Sequence, residues 1–108
     1  MFHQMATPYV FQLKTRLLSA ATAPELLYWI NNILELGATH LLLDMKDVLF
    51  MDSSGLGALV IAHNRVQKAG GKLMLCSLSG QARMLFELSG MEKMFEVYSD
   101  KDAFEQAS

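Results

Sequence analysis

A chain of 108 residues has room for one domain, spanning 1–108, and one core. With 52% hydrophobic residues, 19% charged residues and a formal net charge of −2, it is globular in composition. These values exclude a disordered chain, and with no basic patch in the sequence they speak against nucleic-acid binding.

The first residues, Met1 to Ala6, carry no basic region followed by an apolar stretch, and no apolar run approaches bilayer length. The expectation is a soluble, cytoplasmic protein without membrane insertion. Phe2 to Met5 offers a short strand that a turn at Ala6-Thr7-Pro8 would pair with the next segment. That segment, Tyr9-Val10-Phe11-Gln12-Leu13, is β-rich, and alternation puts Phe11 and Leu13 on one face.

Thr22-Ala23-Pro24-Glu25 has the form of a capping box, with the Thr22 hydroxyl on the Glu25 amide and the Glu25 carboxylate reaching back. It predicts a helix whose apolar face holds Leu26, Trp29, Ile30, Ile33 and Leu36, stopped by Gly37. Trp29 is read as packing at the edge of the core. Leu41-Leu42-Leu43-Asp44 is a short buried strand, and Leu56 to Ala69 repeats apolar positions at helical spacing, with Leu56, Leu59, Val60 and Val66 on one stripe. Gly70-Gly71 ends that helix, and Lys72 to Cys76 forms the next buried strand, in which Cys76 is a small buried hydrophobe. As the only cysteine it has no disulfide partner and no companion at metal-ligand spacing, which fits a reducing compartment.

Gln81 to Leu88 gives a third helix, Phe95 to Tyr98 a last strand, and Asp100 caps a short terminal helix running to Gln106. The alternation predicts an α/β fold: a mixed, largely parallel sheet of four or five strands with about four helices packed against it.

Between the strand at Leu41 and the helix at Leu56 stands Phe50-Met51-Asp52-Ser53-Ser54-Gly55-Leu56-Gly57. Asp52 is the expected N-cap, so the Ser53 and Ser54 hydroxyls lie beside unpaired amides where the helix dipole tolerates negative charge. A phosphate there is partly stabilised. Gly55 and Gly57, lacking Cβ atoms, are expected to let a partner's backbone or a nucleotide phosphate approach closely. Taken alone, Asp52-Ser53-Ser54-Gly55 is an ordinary cap-and-turn string.

Its surroundings add specificity. The run from Leu42 to Gly57 closely resembles the signature of STAS domains, the family of bacterial anti-sigma factor antagonists. Ala21 to Leu26, Ala69 to Leu73 and Leu85 to Met91 match other family segments in order and spacing, so the resemblance covers nearly the whole chain from about Val10. It implies that Ser53 is the phosphoacceptor, with Ser54 as its neighbour and Asp52 assisting, and the close approach expected at Gly55 and Gly57 would support the same site. It further implies that the unphosphorylated protein sequesters an anti-sigma factor serine kinase and releases a sigma factor, that phosphorylation ends the interaction, and that a metal-dependent serine phosphatase resets it. Where many relatives have a glycine and then a Leu-Asp pair before the first helix, this chain reads Thr15-Arg16-Leu17-Leu18-Ser19, without the acid. An alternative implied by the same family is a constitutive interaction subunit, in a lipid-transport ATPase or a stress-signalling scaffold.

Rival chemistry has little support. No G-x-S-x-G elbow, Walker loop or G-x-G-x-x-G occurs, so neither hydrolysis nor another enzymatic activity is expected, and no cofactor is implied. The histidines His3, His40 and His63 form no metal pattern, and His63, inside the helical stripe, is expected to be partly buried and hydrogen-bonded. Asp44, Asp47 and Asp52 are read as a strand end, a solvated loop residue and a helix cap rather than a metal cluster. Most of the eight methionines fill core gaps. Ile61 and Met84 do not fit a core role and are expected to anchor a partner beside the serines.

Overall fold

The computed structural model describes residues 8–107. The strand expected at Phe2–Met5 lies outside them. The described chain runs β1 (Tyr9–Gln12), β2 (Leu17–Leu18), α1 (Ala23–Glu35), β3 (His40–Asp44), β4 (Phe50–Met51), α2 (Ser53–Lys68), β5 (Lys72–Cys76), α3 (Gly80–Leu88), a 3₁₀ turn (Met91–Lys93), β6 (Glu96–Tyr98) and α4 (Lys101–Ala107).

β1, β3, β5 and β6 form a four-stranded sheet in that order, and every pairing in it is parallel. The two central strands are apolar through residues 41–43 and 73–76, because both of their faces are covered there. Successive side chains point to opposite faces. Leu41, Leu43, Leu73 and Leu75 therefore meet Leu26 and Ile30 of α1, Leu59 and Val66 of α2 and Phe86 of α3 in the larger cluster. Leu42, Met74 and Cys76 face the other way, under Phe104 of α4 and Tyr98. The sheet thus lies between a broad helical layer and one short helix. Phe11 stacks on Trp29 at 4.7 Å between ring centroids, which makes Trp29 an edge-of-core residue, as expected. Among the described residues no helix is long and apolar enough to cross a membrane.

α1 starts after Thr22 and is followed by Gly37 at φ +87°, as expected, but the cap bond and the last apolar position differ. Thr22 caps nothing with its side chain. Its hydroxyl donates to the Leu17 carbonyl at 2.8 Å and accepts from the Ser19 amide at 2.9 Å, so it ties the helix back to β2 instead. At the other end, Leu36 is the C-cap and is 76% exposed, beyond the turn that buries Ile33 partly. A further difference is the pair β2 and β4, two residues each, paired parallel with Leu17 opposite Phe50 and Leu18 opposite Met51.

These positions predict contrasting costs. Leu43→Ala, in a fully buried site of the central strand, should destabilise the fold by ~2–5 kcal/mol. Leu36→Ala should change stability by less than ~0.5 kcal/mol, both read from urea unfolding midpoints.

Candidate functional site

The site is built from the segment between β3 and α2. Asp44, 6% exposed at the end of β3, turns the chain by accepting the Lys46 amide at 3.1 Å. The amides of Leu49 and Phe50 then both donate to the Arg16 carbonyl, at 3.0 and 2.9 Å. The Asp52 amide reaches the Leu18 carbonyl at 3.3 Å. From the other side, Gln81 of α3 accepts the Met51 amide through its side-chain oxygen at 2.8 Å, and the Ala82 amide donates to the Leu49 carbonyl at 3.0 Å. Residues 49–52 are therefore held between β2 and the start of α3, and the first turn of α2 inherits their position.

Asp52 is the N-cap, with extended backbone at φ −107° and ψ −177°. Its carboxylate accepts the Gly55 amide at 2.9 Å, and its carbonyl accepts the Leu56 amide at 3.0 Å. Ser53 and Ser54 come first in the helix, where amides have no intrahelical partner. Both side chains are exposed, and neither hydroxyl has a partner among the described residues. Two free hydroxyls at the positive end of a sixteen-residue helix can accept a phosphoryl group without breaking a contact.

Gly55 does not behave as expected. It is buried, and a Cβ there would overlap the Leu18 carbonyl oxygen. The close approach is made by the chain's own β2 and leaves no room for a partner or a nucleotide. Gly80, at φ +63°, does the same for the Leu49 carbonyl, which a Cβ would meet at 2.9 Å. Gly57 has open space around its missing Cβ.

Ile61 and Met84 are exposed, at 44% and 60%. Ile61 follows Ser54 by seven positions, which places it two turns along and within about 20° of the same face. Met84 lies on α3, which packs against β4, as α2 also does. Sequence reading missed Leu17 and Phe50, register partners that are 45% and 47% exposed just ahead of Asp52. Their only signal was an apolar residue at each of two unassigned positions.

The acids keep separate duties: Asp47 accepts the Gln12 amide nitrogen at 2.8 Å, Asp44 holds a turn and Asp52 caps α2. No group of three potential metal-ligating side chains converges among the described residues. His63 differs from expectation, since its buried Nδ1 has no hydrogen-bond partner and its ring tilts against Phe95 at 4.9 Å. Cys76 is buried, and desolvation followed by the nearby Asp44 charge pushes its thiol above the usual range, so it remains a neutral hydrophobe as read.

The STAS domain family profile matches residues 7–103. The chain belongs to the STAS domain family. Within that family, it is 37% identical over 76 residues to the anti-sigma-B factor antagonist of Bacillus subtilis (strain 168), across 70% of this chain and 69% of that one. The anti-sigma F factor antagonist of Paenibacillus polymyxa is 31% identical over 62 residues, across 57% and 53% of the respective chains. The matches thus span about half to two thirds of these relatives. TM1081 of Thermotoga maritima shares the fold, with a TM-score of 0.75 over 90% of this chain and 86% of that one at 23% identity.

The geometry makes three predictions. Gly55→Ala should destabilise this STAS domain by ~3 kcal/mol or more, because backbone has to move. Gly57→Ala should stabilise it by ~0.5–1 kcal/mol, since only helix propensity changes; equal effects in chemical denaturation would contradict the contact with Leu18. Native Cys76 should resist an aromatic disulfide reagent at pH 8 (about its ordinary range) and react at once in denaturant.

Proposed function

We propose that this STAS domain is an anti-sigma factor antagonist whose hold on an anti-sigma factor serine kinase is gated by phosphate on Ser53. The observation that carries the reading is the pair of exposed, unpartnered hydroxyls on a helix start fixed by backbone hydrogen bonds. It is supported by relatives that bear the name anti-sigma factor antagonist. Ser53, first after the capping aspartate, is the acceptor by its place in the STAS pattern, and Ser54 is its neighbour. The domain itself catalyses nothing in this reading. It works in the cytoplasm as a regulator of transcription, and a metal-dependent serine phosphatase returns it to the binding form.

The gate is electrostatic. A phosphate adds about −1.5 to −2 charges at neutral pH. On the free protein the helix start offsets part of that charge, by ~0.3–1 kcal/mol, so the fold persists. Under a docked partner the same charge has to be desolvated or paired, and the interface weakens. Leu17 and Phe50 on one side of Ser53, and Gly57 and Ile61 along the outward face of α2, supply the apolar area the partner covers, with Met84 as an outlying anchor.

One observation favours the second reading, a constitutive interaction subunit. β2 runs beside the start of α2, and at Leu17, Leu18 and Ser19 it brings no carboxylate there to assist a kinase.

Intact-mass analysis of protein from its own host should show one phosphate, absent in Ser53→Ala and retained in Ser54→Ala. Ser53→Asp should weaken kinase binding at least ~10-fold, or ~1.4 kcal/mol. Ile61→Asp and Met84→Asp should each cost more than ~1 kcal/mol of binding while changing stability by less than ~0.5 kcal/mol. Phosphate found only on Ser54 would refute the assignment. Kinase affinity unchanged in Ser53→Asp would favour the constitutive reading.

A further inference from the structure

The sequence contains no run of basic residues, yet the fold assembles a basic patch. The loop after β1 and the loop after β3 meet at the carboxyl end of the sheet and line an open cleft of about 350 Å³ with Lys14, Thr15, Arg16, Lys46, Asp47 and Leu49. Three of the chain's 9 lysines and arginines thus gather in one place on a molecule whose net charge is −2. Lys14, Arg16 and Lys46 have no ion pair and no side-chain hydrogen bond among the described residues; the ion pairs found are Lys72 with Glu96 and Arg83 with Glu87. The one acid in the cleft, Asp47, is engaged by Gln12.

The cleft is held by backbone. Leu13 donates to the Asp44 carbonyl at 3.2 Å, Val48 to Met45 at 2.9 Å, and Leu49 and Phe50 to Arg16 at 3.0 and 2.9 Å. The last two bonds also set β4, so the cleft is continuous with the Leu17–Phe50 pair and the turn that leads to Ser53.

We infer that this cleft receives a cluster of glutamate or aspartate side chains on the protein that docks at Ser53. Several features favour carboxylates over a phosphate group. The charges that reach the cleft are on side chains, and in the loop after β3 the amides of Lys46, Val48, Leu49 and Phe50, the kind of group that lines a phosphate cradle, are bonded within the loops. No aromatic ring lines the cleft to stack a nucleobase. Ammonium and guanidinium groups on long exposed stems instead match carboxylates distributed over a protein surface. Such a patch raises the association rate of an acidic partner toward a chain that repels it overall, and salt screens the effect. Placing that partner beside Ser53 rests on the interface proposed above, while the chemistry of the cleft can be tested without it.

The test is an amide-resolved NMR titration of the full chain with an N-acetylated, C-amidated hexaglutamate peptide, and separately with inorganic pyrophosphate. At roughly 20 mM salt the peptide should shift residues 14–16 and 46–49, and at roughly 300 mM the shifts should vanish. Lys14→Gln combined with Lys46→Gln should reduce peptide affinity by about 10-fold or more while leaving the melting curve unchanged. Peptide shifts that are absent, that map elsewhere, or that survive the double substitution would overturn the inference. Tighter binding of pyrophosphate than of peptide would also overturn it, in favour of a phosphate site. The titration involves neither a kinase nor a change at Ser53, so its failure and failure of the phosphate gate are separately visible.

Discussion

The structure depends on the bonding of two carbonyls in and beside a two-residue strand. Arg16 and Leu18 accept the amides of Leu49, Phe50 and Asp52, and through them β2 decides where α2 begins. The register is further locked by Gly55, because only a residue without a side chain lets the helix descend onto the Leu18 carbonyl. Gly80 repeats the device on the far side, where α3 closes on Leu49. A helix start held on both flanks by backbone presents its first hydroxyls in one orientation. Ser53 and Ser54 need no side-chain partners to be positioned, and their hydroxyls stay available.

Much of this was legible in the sequence where a periodic pattern ran long enough to average out its exceptions. The central strands, α2, α3 and the Asp100 cap all emerged from periodicity and end signals, and Asp100 does accept the Ala103 amide, at 2.7 Å. What escaped was tertiary. Two residues cannot show an alternation, so β2 and β4 had no signature. Thr22 has the right spacing for a capping box, but a nearer carbonyl and amide in the preceding turn outcompete the helix for its hydroxyl. Leu36 continues the apolar stripe by number, yet the helix ends before it can turn inward.

The candidate site divides along the same line. Asp52 as cap and the exposed serines followed from local chemistry. The role of Gly55 did not, since a missing Cβ marks a close approach without saying which chain approaches. The basic cleft was invisible because Lys14 and Arg16 lie far from Lys46 in sequence, and only the parallel pairing of β1 with β3 brings their loops together. His63 shows a different limit: its place in the stripe indicated burial, but whether a buried ring nitrogen finds a donor or acceptor depends on neighbours that a single helix does not reveal.

The uneven cover of the sheet has a consequence for how the domain comes apart. Among the described residues, one face lies under three helices, while the other relies on seven residues of α4 and, above all, on Phe104 set edge-on against Tyr98 at 5.1 Å. A helix that short has almost no stability of its own and holds only while its aromatic anchor is seated. Opening is therefore cheapest at α4, where it uncovers Leu42, Met74 and Cys76 without disturbing a bond near Asp52. The domain has a soft back and a hard front, and fraying at one leaves the start of α2 at the other intact.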